Sequence, residues 1–195
     1  MVALGSSINP EQEMLYPLTE FYARWDLPLP AAVEIDGGEM PQPYRKLLVH
    51  KRDMTPTLEE AHRRKTHLHT LDKVLRRHVL SRQVVLVLED DRTVVELGAI
   101  KIYLERFPLD ARGLINECHI PLGTILKNYK IAHETRPALF FRVQADRLIA
   151  ERLNVDAGTV LYGRRAELRD RSHQALARVI EILPPSEGIE GFPNE

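Results

Sequence analysis

Residues 159–184 read Thr-Val-Leu-Tyr-Gly-Arg-Arg-Ala-Glu-Leu as far as Leu168, a polar tip from Arg169 to Gln174, then Ala-Leu-Ala-Arg-Val-Ile-Glu-Ile-Leu-Pro. Two runs of strand length, rich in branched residues and joined by a charged tip, predict an antiparallel hairpin. A period of two places Ala177, Val179, Glu181 and Leu183 on one face, so a carboxylate points where its neighbours are apolar. Such a group must be paired, protonated or in use. Arg164 and Arg165 fall on opposite faces of the first strand, so at most one of them points inward.

Outward from the hairpin, further strands are expected. Thr66 to Leu71 alternates strictly, Arg82 to Leu88 is a buried-strand run, and Val94 to Leu104 continues after the turn Glu89-Asp90-Asp91-Arg92. Ala138 to Gln144 forms another strand after a loop from Glu134 to Pro137. Short helices are expected at Glu11 to Trp25 with Pro17 near the start, from Tyr44 to His50, after Asp53-Met54-Thr55-Pro56, at Pro121 to Leu126, and at Arg147 to Leu153 capped by Asp146. About six strands in hairpin order, without regular alternation of strand and helix, predict an α+β domain: an antiparallel sheet covered by short helices. Residues 1–40, punctuated by Asn9-Pro10, Pro28, Pro30 and Gly37-Gly38, read as an N-terminal arm, 41–185 as the domain, and 186–195 as a C-terminal tail.

The chain has 195 residues, 44% hydrophobic and 28% charged, with a net charge of -1, which gives no electrostatic case for nucleic acid or a membrane. The single cysteine, Cys118, rules out an internal disulfide framework and suits a reducing compartment. No apolar run approaches the ~20 residues that span a bilayer, and the N-terminus lacks a secretory layout, so a cytoplasmic location is expected. No glycine loop suits a phosphate or a dinucleotide. His62, His67 and His69 lack further ligands at metal spacing, so no metal is assigned. Cys118 beside His119 reads as a buried cysteine.

Two features point to an anion. Arg82 leads into the apolar face of Val84, Leu86 and Leu88, and the Leu122-Gly123 pair at a helix start presents backbone N–H groups. Together with Asp53-Met54-Thr55, Ile120-Pro121-Leu122-Gly123, Leu161-Tyr162-Gly163-Arg164-Arg165 and Glu181-Ile182-Leu183-Pro184, these pieces occur in an order that resembles the chorismate pyruvate-lyase family, also called 4-hydroxybenzoate synthase, over about residues 45 to 185. The resemblance implies a small aromatic ligand held between sheet and helical flaps. It implies that Arg82 grips a carboxylate, that the Leu122 backbone meets the same group, that Met54 lines the pocket, and that Glu181 faces the departing side chain as general acid. The expected function is release of pyruvate from chorismate to give 4-hydroxybenzoate, a precursor of quinones, by a monomer without metal or cofactor. The chain departs from the family at Ile180 and near Ala99, where one branch has a second pocket arginine, with Lys101 the nearest substitute. Two other readings stay open: a non-catalytic effector-type domain that binds an aromatic carboxylate, and a related lyase or hydrolase for another carboxylated ring.

Overall fold

In a computed structural model, which describes residues 10–185, the chain forms one seven-stranded antiparallel sheet in the order β1-β5-β6-β7-β4-β3-β2. The strands are β1 (Ala32–Ile35), β2 (Thr66–Arg76), β3 (Val79–Leu88), β4 (Val94–Tyr103), β5 (Glu134–Gln144), β6 (Val160–Arg169) and β7 (Ala175–Leu183). The helices are α1 (Pro10–Met14), α2 (Thr19–Arg24), α3 (Tyr44–Leu48), α4 (Met54–His62), α5 (Leu109–Glu117), α6 (Leu122–Asn128) and α7 (Arg147–Leu153). The α+β reading holds, with one strand more than expected. The added strand, β1, is only four residues long and is held at the sheet edge by pairing with β5, which no local pattern announces. The helix expected over Glu11 to Trp25 is two, and Pro17 lies between them, since it has no N–H to continue a helix. At α4 the cap position is Asp53, and Pro56 sits third in the helix.

Both faces of the sheet are covered, which explains why β3 is buried from Leu80 to Leu88 instead of alternating. On one face Leu15, Leu18, Phe21 and Tyr22 from the first helical stretch, with Ile149 and Leu153 of α7, pack on Val85, Leu97, Ile180 and Ile182. The described part of the segment read as an arm therefore contributes side chains to the core; residues 1–9 of the arm and the tail 186–195 lie outside the described residues. The other face carries two clusters. Ile115, Leu122, Ile125 and Leu126 of α5 and α6 cover Ile100, Leu168 and Val179, while Leu47, Leu48, Met54 and Leu58 of α3 and α4 cover Leu86, Leu88 and Leu183.

The central hairpin brings β6 and β7 into register with Arg164 opposite Glu181. Gly163 makes this possible: a Cβ there would lie 2.4 Å from the Phe141 ring and 2.6 Å from the Glu181 carbonyl oxygen. Among the described residues no helix is long and apolar enough to cross a membrane.

Candidate functional site

Where the α5/α6 cluster meets the α3/α4 cluster, the helices leave a gap over the sheet. A cavity of about 80 Å³ occupies it. Its floor comes from alternate residues of the strands: Arg82, Val84 and Leu86 of β3, Glu96, Gly98 and Ile100 of β4, Val179 and Glu181 of β7, and Arg164 of β6. Its walls are the first residues of α4, Met54 and Thr55, and of α6, Leu122 and Gly123. The structure thus brings Arg82, Glu181, Met54, Leu122 and Gly123 around one cavity, although they are spread along the chain from residue 54 to residue 181. Gly98 keeps the floor open, since a Cβ there would lie 3.0 Å from Glu96 Oε1 and 3.3 Å from Val84.

Arg82 is 1% exposed. Its Nη2 donates to the Ile120 carbonyl oxygen at 3.3 Å, while Nε and Nη1 are buried without a hydrogen-bond partner among the described residues. Burial pulls the guanidinium's pKa down from its ordinary value, against a smaller pull upward from neighbouring Cys118. A buried cation with two nitrogens unmatched is unusual, because desolvation of a charge costs several kcal/mol unless acceptors replace the water.

The second arginine behaves differently. Arg164, 0% exposed, donates from Nε to Glu181 Oε2 at 2.5 Å. Its Nη1 donates to the carbonyl oxygens of Leu48 at 3.2 Å and His50 at 3.0 Å, and its Nη2 to that of Arg52 at 3.0 Å. Arg164 therefore ties β6 to the segment that joins α3 to α4, and its guanidinium is spent. Burial, and then Arg164, push the His50 pKa down, which keeps that imidazole neutral beside the guanidinium. Arg165 points to the opposite face and meets Glu13, so of the two adjacent arginines only Arg164 reaches the cavity.

Glu96 was not singled out in the sequence. It is 5% exposed, its Oε2 has no partner among the described residues, and it lies beside Glu181 on the cavity floor. Burial, reinforced by the Glu181 carboxylate, drives its pKa well above the ordinary carboxylate value, against a pull downward from Arg164. The period-two argument that marks Glu181 marks Glu96 as well, since Glu96, Gly98 and Ile100 alternate on the inward face. At the cavity edge Asp53 accepts from Thr135 at 2.6 Å and meets His133 Nε2 at 3.0 Å. The contact joins the start of α4 to the start of β5.

The substitute proposed for a second pocket arginine is not there. Lys101 lies on the other face of the sheet, paired with Glu20 of α2. His67 and His69 are exposed, Cys118 is buried, and no group of three or more potential metal ligands occurs among the described residues.

No protein-family model and no curated protein matches the sequence. Solved structures do match. PhnF from Mycobacterium smegmatis is 17% identical with a TM-score of 0.55, the match covering 70% of this chain and 65% of that one. The separate effector domain of the same protein is 16% identical with a TM-score of 0.54, covering 69% of this chain and 90% of that domain. A gene product of Staphylococcus aureus is 9% identical with a TM-score of 0.50, covering 67% and 89%. The chain thus spans less than two thirds of full-length PhnF but nearly all of its effector domain.

These matches correct the expectation of a chorismate lyase, because the solved structures that the chain resembles include one described as an effector domain, that of PhnF. The geometry agrees with the correction. Glu181, expected as a general acid, is held by Arg164, and Lys101 and Arg165 both meet partners on the other face of the sheet. What this chain shares with those structures is the chorismate lyase-like fold, which here is a seven-stranded antiparallel sheet with a cavity under short helices.

Proposed function

We propose that this domain is a non-catalytic receptor, of the effector type, for a small monoanionic carboxylate with an aromatic body. The observation that carries the reading is Arg82, a guanidinium 1% exposed with Nε and Nη1 unmatched among the described residues, on the floor of a mostly apolar cavity beside the α6 wall. An entering carboxylate supplies the missing acceptors, each charge-assisted hydrogen bond contributing roughly 1.5–3 kcal/mol. The first N–H groups of α6, at Leu122 and Gly123, have no intrahelical partners and stand at the same wall, so they are assigned to the same carboxylate. Met54, Leu68, Val84, Leu86 and Val179 receive the ring. The ligand is a monoanion because, beyond Arg82, the lining offers no unpaired cation among the described residues: Arg164 is bonded to Glu181.

At about 80 Å³ the cavity is smaller than expected for a benzenoid anion. An engineered apolar cavity that admits benzene measures roughly 150 Å³. Binding an aromatic ring therefore displaces a wall, and the start of α6 yields before that of α4, which is tied to β5 through Asp53 and to Arg164 through the Arg52 carbonyl. That coupling between occupancy and helix position is what an effector domain requires. In this reading residues 41–185 supply the ligand-lining side chains, the described part of residues 1–40 completes the core on the other face of the sheet, and the unit contacts a small molecule as a monomer rather than nucleic acid.

Calorimetric titration with benzoate and 4-hydroxybenzoate, on the wild-type chain and on Arg82→Met, tests the proposal. Loss of two charge-assisted bonds is expected to weaken both ligands by at least ~10²-fold. Equal affinity in the two proteins would end the carboxylate assignment. Incubation of the wild-type chain with chorismate is expected to release no pyruvate.

A further inference from the structure

On the side of the sheet opposite the cavity, most cations have a carboxylate of their own. Lys101 meets Glu20, Arg165 meets Glu13, Arg136 meets Glu134 at 2.9 Å and Arg24 meets Asp72 at 2.9 Å. The exception lies at the end of the sheet where the β6–β7 hairpin turns. A hollow of about 350 Å³ there is lined by Arg106, which follows β4, by Arg169 of β6, by Arg178 of β7 and by His173 of the hairpin tip. Among the described residues the one acid in its lining is Glu167, so three guanidinium groups share a single carboxylate.

The sharing is ordered. Glu167 and Arg178 stand directly opposite each other in the β6–β7 register. Glu167 Oε2 accepts from Arg169 Nε at 2.8 Å and Nη2 at 2.5 Å, and its Oε1 accepts from Arg178 Nε at 2.9 Å, so both carboxylate oxygens are used. Arg106 donates from Nη1 to the Ala175 carbonyl oxygen, and its guanidinium carbon lies 4.9 Å from the centre of the Tyr103 ring. These contacts fix the three forks and leave Nη1 of Arg169, both Nη groups of Arg178, and Nε and Nη2 of Arg106 without a hydrogen-bond partner among the described residues.

We propose that this hollow is a second ligand site, separate from the Arg82 cavity, and that it takes the phosphate group of a small phosphate monoester. Charge complementarity selects the ligand. Three guanidinium groups against one carboxylate leave a charge of +2 in the lining, and a monoester near neutral pH carries a charge of about −2 on three strong acceptor oxygens. Guanidinium forks match that geometry, and forks already held by Glu167 and Tyr103 lose little freedom when the anion enters. A second copy of this chain in a two-fold contact would set the same positive charge against itself, so the occupant is a small anion. The organic body of the ester has a place as well. Glu167 and Arg178 also line a groove of about 600 Å³ that runs along α1 and α2 past Tyr16 and Ala138, a volume in the range of small-molecule sites. The site does not depend on the carboxylate reading of Arg82, since Arg178 and Glu181 point to opposite sides of β7.

The test is calorimetric titration at low ionic strength with phenyl phosphate, inorganic phosphate and phenyl sulfate, on the wild-type chain, Arg106→Gln, Arg178→Gln and Arg147→Gln. Phenyl phosphate is expected to bind the wild type with a Kd of about 1 mM or tighter. Phenyl sulfate, of the same shape with a single charge, is expected to bind at least about fivefold more weakly, and so is inorganic phosphate, which has no body to lay in the groove. Arg106→Gln and Arg178→Gln should each weaken phenyl phosphate by at least ~10-fold, through loss of a charge-assisted contact. Arg147 lies on α7 outside the hollow with its side chain 92% exposed, and Arg147→Gln, which removes the same charge, should leave the affinity within about twofold. Should one of the two hollow variants fail to fold, the other decides. No saturable binding of phenyl phosphate by about 10 mM overturns the inference. So does binding that neither hollow substitution weakens, because the anion would then sit elsewhere, and so does an equal loss in Arg147→Gln, which would mark a general attraction. Equal affinity for phenyl sulfate or for inorganic phosphate overturns the assignment to a monoester.

Discussion

Arg82→Met should make the unliganded protein more stable while removing its function. In the folded chain, Nε and Nη1 of Arg82 are buried and unmatched, and only Nη2 is bonded, to Ile120. A buried unsatisfied polar group costs about 1–3 kcal/mol, so the two nitrogens together carry a penalty of roughly 2–6 kcal/mol. Met is close to Arg in reach, fills the same channel with apolar atoms and loses only the Ile120 contact, worth on the order of 1–2 kcal/mol. The net expectation is a gain of about 1–4 kcal/mol. For a domain of this size each kcal/mol raises the midpoint by about 2–4 °C, so thermal unfolding without ligand should shift upward by some ~2–15 °C. Saturating 4-hydroxybenzoate should raise only the wild type: it gains RT ln(1 + [L]/Kd), about 2.7 kcal/mol at a hundredfold excess over Kd, and the variant gains almost nothing. Calorimetric unfolding scans with and without ligand measure both halves. A variant that melts several degrees below wild type in the absence of ligand would refute the reasoning, because Arg82 would then be held by the fold itself and would have no acceptors left to seek.

Glu181→Gln should act in the opposite direction, since it removes the partner of a guanidinium that is 0% exposed; a loss of about 3–5 kcal/mol by denaturant titration is expected, and a neutral result would mean that the backbone carbonyls alone satisfy Arg164. Glu96→Gln should stabilise the chain only at higher pH. The raised pKa of Glu96 means that the folded state holds a proton the unfolded state gives up, so wild-type stability is intact below the ordinary value of 4.5 and falls as pH rises toward the folded pKa. The difference between variant and wild type should thus be small near pH 4 and grow toward neutrality, and a pH-independent difference in urea midpoints would contradict it. The Asp53–His133 contact has its own window. Hydrogen bonding to Asp53 raises the His133 pKa; for Asp53, burial pushes up but the bonds from His133 and Thr135 outweigh it and the pKa falls. The His133 contribution is complete below the ordinary 6.5 and lost as pH rises through the raised value, while that of Asp53 is lost as pH falls below the ordinary 3.8. His133→Phe should therefore lower the midpoint most between about pH 4 and 6.5, with a difference that shrinks in alkaline buffer.

Periodicity made most of the sheet legible. Six of the seven strands announce themselves as alternating or branched runs bounded by turn residues, and Glu181 is visibly out of place on its face. The same pattern reading, applied to residues 94–103, would have found Glu96; a single acidic residue in an otherwise apolar strand is the signal. Strand β1 and helix α5 carry no comparable mark, because β1 owes its conformation to pairing with β5 and α5 to packing on the sheet through Ala111 and Ile115.

What the residues determine by themselves is local: which segments extend, which face of each is apolar, and that an arginine and a glutamate sit on inward faces. Those properties depend on a few neighbouring dihedrals and on the period of two. Which cation meets which anion was decided only by the tertiary structure. Register placed Arg164 against Glu181 and left Arg82 without a counter-charge, and strand parity sent Lys101 to the far side of the sheet to join Glu20. Pairing of buried charges depends on distances of a few ångströms between segments far apart in the chain, which no local pattern of residues fixes.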